Sequence, residues 1–207
     1  MKYIAHRGYS LKYRENTVIA IQEAIRNNYD GVEIDVQLCK SGEIILYHDI
    51  YIDNYFVCDL TYTELSDKGV YSLQEVYEQI PELEHTLLIV DIKGNNLAIC
   101  NTIELFYRNK STEKVFFCSF NRNLVFNLPT TFLKGATFES TFTRDEYDIV
   151  TKDLDAVVLH WTCLDHTFIR YCKNVKRIGV FTYTHKEDME INYMLKYDVD
   201  GIITNGF

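Results

Sequence analysis

Positive charge is in short supply in this chain. Against 30 Asp and Glu it carries 21 Lys and Arg, a formal net charge of −9 with a pI near 5.1. Phosphate backbones are held mainly by Lys and Arg, so the balance argues against a nucleic-acid partner; an anionic small molecule remains compatible where positive charge is concentrated locally. No apolar stretch approaches the roughly 20 residues needed to span a bilayer, and no integral membrane segment is expected. The six cysteines (Cys39, Cys58, Cys100, Cys118, Cys163, Cys172) show no C-x-x-C spacing and several lie in apolar runs. Reduced, buried thiols in a cytoplasmic protein are therefore expected rather than disulfides. The strand-like run begins at once, and no signal peptide is expected before it. Disorder is not expected either: 47% of the residues are hydrophobic and 25% charged, an ordinary globular balance. At 207 residues the chain is most simply one catalytic domain, 1–207.

What is present is an alternation of short β-branched or aromatic runs with longer amphipathic segments, the pattern of β/α units around a parallel sheet. Strands are expected at 2–6, 31–36, 86–93, 115–119, 134–139, 156–160, 178–183 and 201–204. Helices are expected at 17–28, 73–79, 97–108, from 122, and at 144–152, 164–172 and 186–196. Ser72 reads as the cap of the second of these and Pro81 as its stop. Only Lys40-Ser41-Gly42 separates Val36 from the β-like run 43–48. A parallel crossover needs a dozen or more residues, so that run must fold back as an antiparallel arm. Residues 50–72 read as a short insertion, loop-like with a helical turn near 63–67. Setting the arm aside leaves eight strands, which points to a (β/α)8 TIM-type barrel with its active site at the strand C-terminal ends. Only Asn205, Gly206 and Phe207 follow the last strand. The usual eighth helix is then missing, and a partner subunit in a homo-oligomer is expected to shield that strand's outer face.

The first 49 residues concentrate polar groups beside apolar runs, where an unpaired charge is costly. Glu33 and Asp35 are two apart on one strand and point to the same face, and Asp91 and Lys93 repeat the spacing on another. Three carboxylates converging on a barrel mouth would repel one another unless a cation sat between them. Their hard oxygens suit Mg2+ or Ca2+ better than Zn2+. A lone E-x-D triplet more often faces solvent or pairs with Lys and Arg; its coincidence with Asp91, His6 and His48 favours a metal site. Two histidines flanking a metal can divide proton traffic, one removing a proton from the nucleophile and one supplying it to the leaving group. His85, His160, His166 and His185 lack that company and read as structural or surface residues. Arg7 and Lys93 can present charge to phosphate oxygens or neutralise the same carboxylates.

The order His6-Arg7-Gly8, Glu15-Asn16-Thr17, Gly31-x-Glu33-x-Asp35-Val36, Ser41-Gly42, His48-Asp49, Asp91-x-Lys93, Ser119-Phe120 and Asp200-Gly201-Ile202-Ile203-Thr204 resembles the glycerophosphodiester phosphodiesterase family. The resemblance runs over nearly the whole chain. It implies a barrel enzyme that uses a divalent metal, Mg2+ or Ca2+ with Mn2+ as a third choice, to cleave a glycerophosphodiester into sn-glycerol 3-phosphate and an alcohol. By matching positions it implies His6 and His48 as the acid/base pair, Arg7 and Lys93 as phosphate contacts, and Glu33, Asp35 and Asp91 as metal ligands. The chain departs from the family pattern at Asp91, commonly Glu, at Tyr13-Arg14, where a proline often stands, and at Phe181, usually given as Trp. Two other readings stand beside this one. A lysophospholipase D-like enzyme could rest a lipid tail on the aromatics within 51–56, and a catalytically silent barrel could bind a phosphorylated ligand.

Overall fold

The structure, a computed structural model, describes residues 1–206. Eight parallel strands close on themselves: β1 (Lys2–His6), β2 (Gly31–Leu38), β6 (Leu87–Ile92), β7 (Val115–Cys118), β8 (Leu133–Phe138), β9 (Ala156–His160), β10 (Gly179–His185) and β11 (Gly201–Thr204). β1 pairs with both β2 and β11, which completes the barrel. The antiparallel arm β3 (Ile44–Leu46) pairs with the end of β2, with Val36 opposite Leu46.

Strand alternation sorts the apolar residues into two layers. Ile4, Ile89, Cys118, Val158, Phe181 and Ile203 point inward and fill the barrel floor. Outward residues such as Val32, Ile34, Leu88 and Val90 pack beneath α1 (Val18–Arg26), α3 (Leu73–Gln79) and α4 (Ala98–Tyr107). Each large side chain so buried contributes about 1.5–3 kcal/mol. Thr17 caps α1 by accepting from Ala20 N, and Ser72 with Glu75 forms a capping box on α3. Gly8 is needed where β1 turns toward α1: its φ is +78°, and a Cβ there would lie 2.6 Å from the Ala20 carbonyl carbon.

One expectation is corrected. The insertion is not simply a loop with a helical turn: β4 (Tyr51–Ile52) and β5 (Tyr55–Phe56) form a small hairpin before α2 (Tyr62–Ser66). Asp53 and Asn54 both have positive φ, 48° and 71°, as a two-residue hairpin turn requires. The outer face of the last strand is covered within the single chain. Ile202 and Thr204, on the outer face of β11, are fully buried within the single chain. Ile202 packs with Val180, Met194 and Val199, and the Thr204 hydroxyl donates to the His185 carbonyl.

His185 illustrates what such burial does to a titratable group. It is fully buried, its Nδ1 has no hydrogen-bond partner, and burial holds its pKa down, from 6.5 to about 4. The unfolded chain therefore takes up this proton first as pH falls. The stability contributed is intact above pH 6.5 and is lost between 6.5 and about 4. The expected loss is about 3 kcal/mol, read as a fall in urea midpoint across that window. His185→Gln should flatten this step; an unchanged pH profile in the variant would remove His185 as its cause.

Candidate active site

Register sets the site. His6 pairs with Glu33 across β1 and β2, and Asp35 pairs with Asp91 across β2 and β6, so alternation aims all four side chains into the barrel above its apolar floor. Lys93 follows β6 immediately, its N–H donating to Val36 O. The arm returns the chain toward β2, with Tyr47 N–H donating to Asp35 O, and leaves His48 lining the same cavity as His6, Arg7, Glu33, Asp35, Asp91 and Lys93. All seven predicted site residues are thus brought together at the strand C-terminal ends.

Asp35 is the hub. Only 1% exposed, it lies 2.9 Å from Lys93 Nζ and 3.0 Å from Arg7 Nε. Asn16 donates to its Oδ2 at 2.8 Å and accepts from its backbone N–H at 3.1 Å. The Arg7 contact is one of charge without hydrogen-bond alignment. Arg7 Nη1 also donates to both oxygens of Glu15 at 2.9 Å, and its backbone N–H donates to Glu33. Burial alone would raise the Asp35 pKa, but Lys93, Arg7 and the Asn16 bond outweigh it and hold the carboxyl below the usual range. Glu33 is pushed well above it by burial and by Asp35 and Asp91. Burial, partly offset by Lys93 at 2.6 Å, raises Asp91 to about 6. His6 is held down to about 4, first by burial and then by Arg7, while its Nδ1 meets Asn205 Oδ1 at 2.6 Å. His48 is more open and its Nδ1 meets Asp49 at 2.8 Å.

The donor set fits a divalent cation. Glu33, Asp35 and Asp91 each offer an oxygen within 4.8 Å of the others, all three are buried, and Asp91 Oδ1 has no hydrogen-bond partner. Lys93 and Arg7 neutralise part of this charge, and the carboxylate oxygens are donors of the hard kind that Mg2+ or Ca2+ takes.

Several residues at the mouth had not been singled out. Asn16, named in the sequence only as part of the Glu15-Asn16-Thr17 triplet, has its own place here: Thr17 caps α1, and Asn16, at φ 55°, holds Asp35. Phe181, which stands where the family pattern has Trp, packs deep in the floor against Phe116 and Gly201, and Tyr183, one inward position further along β10, is an aromatic at the mouth. His160, expected to be structural or on the surface, lines an adjoining cavity with His6, Arg7, Glu139, Trp161 and Tyr183. Counting inward positions from the strand end would have found Tyr183; nothing local marks His160 or Asn205.

A closed (β/α)8 barrel with buried carboxylates and two imidazoles at its C-terminal mouth is the frame of a barrel enzyme. The profile of the glycerophosphoryl diester phosphodiesterase family matches residues 6–115, just over half of the chain. A glycerophosphodiester phosphodiesterase of Bacillus altitudinis is 30% identical over 240 residues, covering 99% of this chain and 94% of that one. Among solved structures, a glycerophosphodiester phosphodiesterase from Thermotoga maritima has a TM-score of 0.83 at 22% identity, covering 99% of this chain and 94% of that one. A phosphodiesterase from Oleispira antarctica, solved with the product sn-glycerol-3-phosphate, has a TM-score of 0.84 at 19% identity, with 99% and 93% covered. The chain belongs to the glycerophosphoryl diester phosphodiesterase family and is a phosphoric diester hydrolase.

Proposed function

We propose that the chain hydrolyses glycerophosphodiesters to sn-glycerol 3-phosphate and an alcohol, with a divalent ion held by Glu33, Asp35 and Asp91. The observation that carries this reading is the convergence of those three carboxylates, two imidazoles and two cations on one cavity. Mg2+ or Ca2+ suits the oxygen set, with Mn2+ also acceptable. When bound, the ion supplies Lewis-acid stabilisation of charge on the phosphoryl oxygens. Arg7 and Lys93 add positive charge to the same oxygens. His6 and His48 each have Nδ1 occupied, by Asn205 and Asp49, which leaves Nε2 of each for proton transfer. One removes the proton from the substrate's 2-hydroxyl, giving a cyclic phosphate, or from a water, while the other protonates the departing alcohol; on the cyclic route a water, deprotonated by the second histidine, then opens the ring to sn-glycerol 3-phosphate as the first returns its proton to the 2-oxygen.

The six free cysteines fit a reducing, cytoplasmic setting, and among the described residues no helix is long and apolar enough to cross a membrane. The test is choline release from glycerophosphocholine by purified protein with Mg2+, Ca2+ or Mn2+. Release abolished by EDTA supports the reading. No turnover across a broad panel of glycerophosphodiesters would favour a silent barrel that only binds a phosphorylated ligand.

One observation favours a lysophospholipid as a second substrate. Tyr51, Tyr55 and Phe56 are 56–60% exposed, and Ile50 and Phe56 line a groove that also contains Lys93. A lipid tail there would lie against the hairpin while its phosphate met the site. Tyr55→Ser with Phe56→Ser should lower lysophosphatidylcholine turnover about tenfold and spare glycerophosphocholine; parallel losses on both would dismiss the tail contact.

A further inference from the structure

Gln37 stands two residues beyond Asp35 on β2, on the strand face that carries Glu33 and Asp35. It is 6% exposed, and it does not line the catalytic cavity with them. Its side chain serves the antiparallel arm instead: Nε2 donates to the Tyr47 carbonyl at 2.8 Å and to the Asp49 carbonyl at 2.7 Å. A side-chain amide has two N–H donors, and both are spent on the residues either side of His48. Two carbonyls can be met only by the NH2 end, so the amide is held one way round.

Little else fixes His48 against the barrel. The ladder between β2 and β3 ends with Val36 opposite Leu46, and Tyr47 N–H adds one bond to Asp35 O at 3.2 Å. Among the described residues, neither the N–H nor the carbonyl of His48 makes a backbone hydrogen bond. The His48 ring meets Asp49, whose side chain is itself exposed and on the same turn, so that bond ties neither residue to the barrel. Gln37, buried on a strand paired on both sides, supplies a fixed point.

We infer that Gln37 is a positioning residue for His48, clamping the backbone on both sides of the imidazole and so setting where its Nε2 meets the reacting oxygen. The inference rests on the proposed part of His48 in proton transfer and adds the group that sets its geometry. Gln37 touches no reacting atom, and its effect passes through His48. A displacement of about 1 Å at such a group can cost about 10²-fold in rate.

Gln37→Met keeps the unbranched stem and removes both donors; Gln37→Leu takes its place if that variant does not fold. The change should lower kcat on glycerophosphocholine about 10–100-fold with KM within about threefold, and should cost less than about threefold in a His48→Ala background. In protein carrying 13C-labelled histidine, the His48 Cε1–H signal, assigned by its loss in His48→Ala, should shift or broaden in the variant while the His6 signal stays in place. Full cost retained in the His48→Ala background, or displacement of both histidine signals, overturns the inference, because Gln37 would then act on the barrel at large. A raised KM with kcat kept also overturns it, making Gln37 a substrate contact in the groove it lines with Ile50 and Phe56. An unmoved His48 signal overturns it whether or not the enzyme turns over. Absence of wild-type turnover, with the His48 signal alone displaced in the variant, would instead defeat the phosphodiesterase reading and leave the clamp standing.

Discussion

Alanine at His6 or at His48 is expected to lower kcat on glycerophosphocholine by roughly 10²–10⁴-fold while KM stays within about threefold. Proton transfer is felt in the transition state and hardly in the ground state, so the loss falls on kcat. The double variant should lose little more than the worse single one, because two groups that share one proton circuit act as a unit. The effect on folding should be modest at His48, whose side chain is 38% exposed. At His6 the change removes the partner of Asn205, so its melting temperature needs checking before the rate is read. A loss below about tenfold in both single variants would take the histidines out of the chemistry.

Asp35→Asn is expected to be the most damaging conservative change in the chain, destabilising it by about 3–5 kcal/mol as well as abolishing activity. The side chain hardly changes size, so packing is not the cause. Asp35 sits between Arg7 at 3.0 Å and Lys93 at 2.9 Å, and without its charge both cations lose the partner they share. Asp91→Asn offers the control. Lys93 keeps Asp35, and burial already disfavours the charged form of Asp91, whose pKa is raised to about 6. Its stability should change much less while activity still fails. Equal melting temperatures for the two variants would refute this ordering.

The sequence made legible whatever depends on neighbours in the chain. The β-branched runs, the Ser72 cap and the inward pairing of Glu33 with Asp35 follow from local period and spacing. The arm that carries His48 follows from a three-residue connection too short for any crossover. What stayed hidden depends on barrel closure. Asn205 reaches His6 across 199 positions because β1 and β11 are neighbours only once the ring is shut. Glu139, His160 and Tyr183 belong to three different strand ends and meet only at the mouth. The hairpin at Asp53-Asn54 is a different case. Its signal, two turn-forming residues between Tyr51-Ile52 and Tyr55-Phe56, was local, but the strands are two residues each and too short to show a period.

Three buried carboxylates acting as one divalent-ion site carry the proposed chemistry, and calorimetric titration of Mg2+ in the presence of sn-glycerol 3-phosphate tests this most directly. The wild type should bind one ion per chain, and Asp91→Asn, still folded, should bind it at least roughly tenfold more weakly. Equal affinity in the two proteins, or no binding by the wild type of Mg2+, Ca2+ or Mn2+ at millimolar concentration, would contradict it.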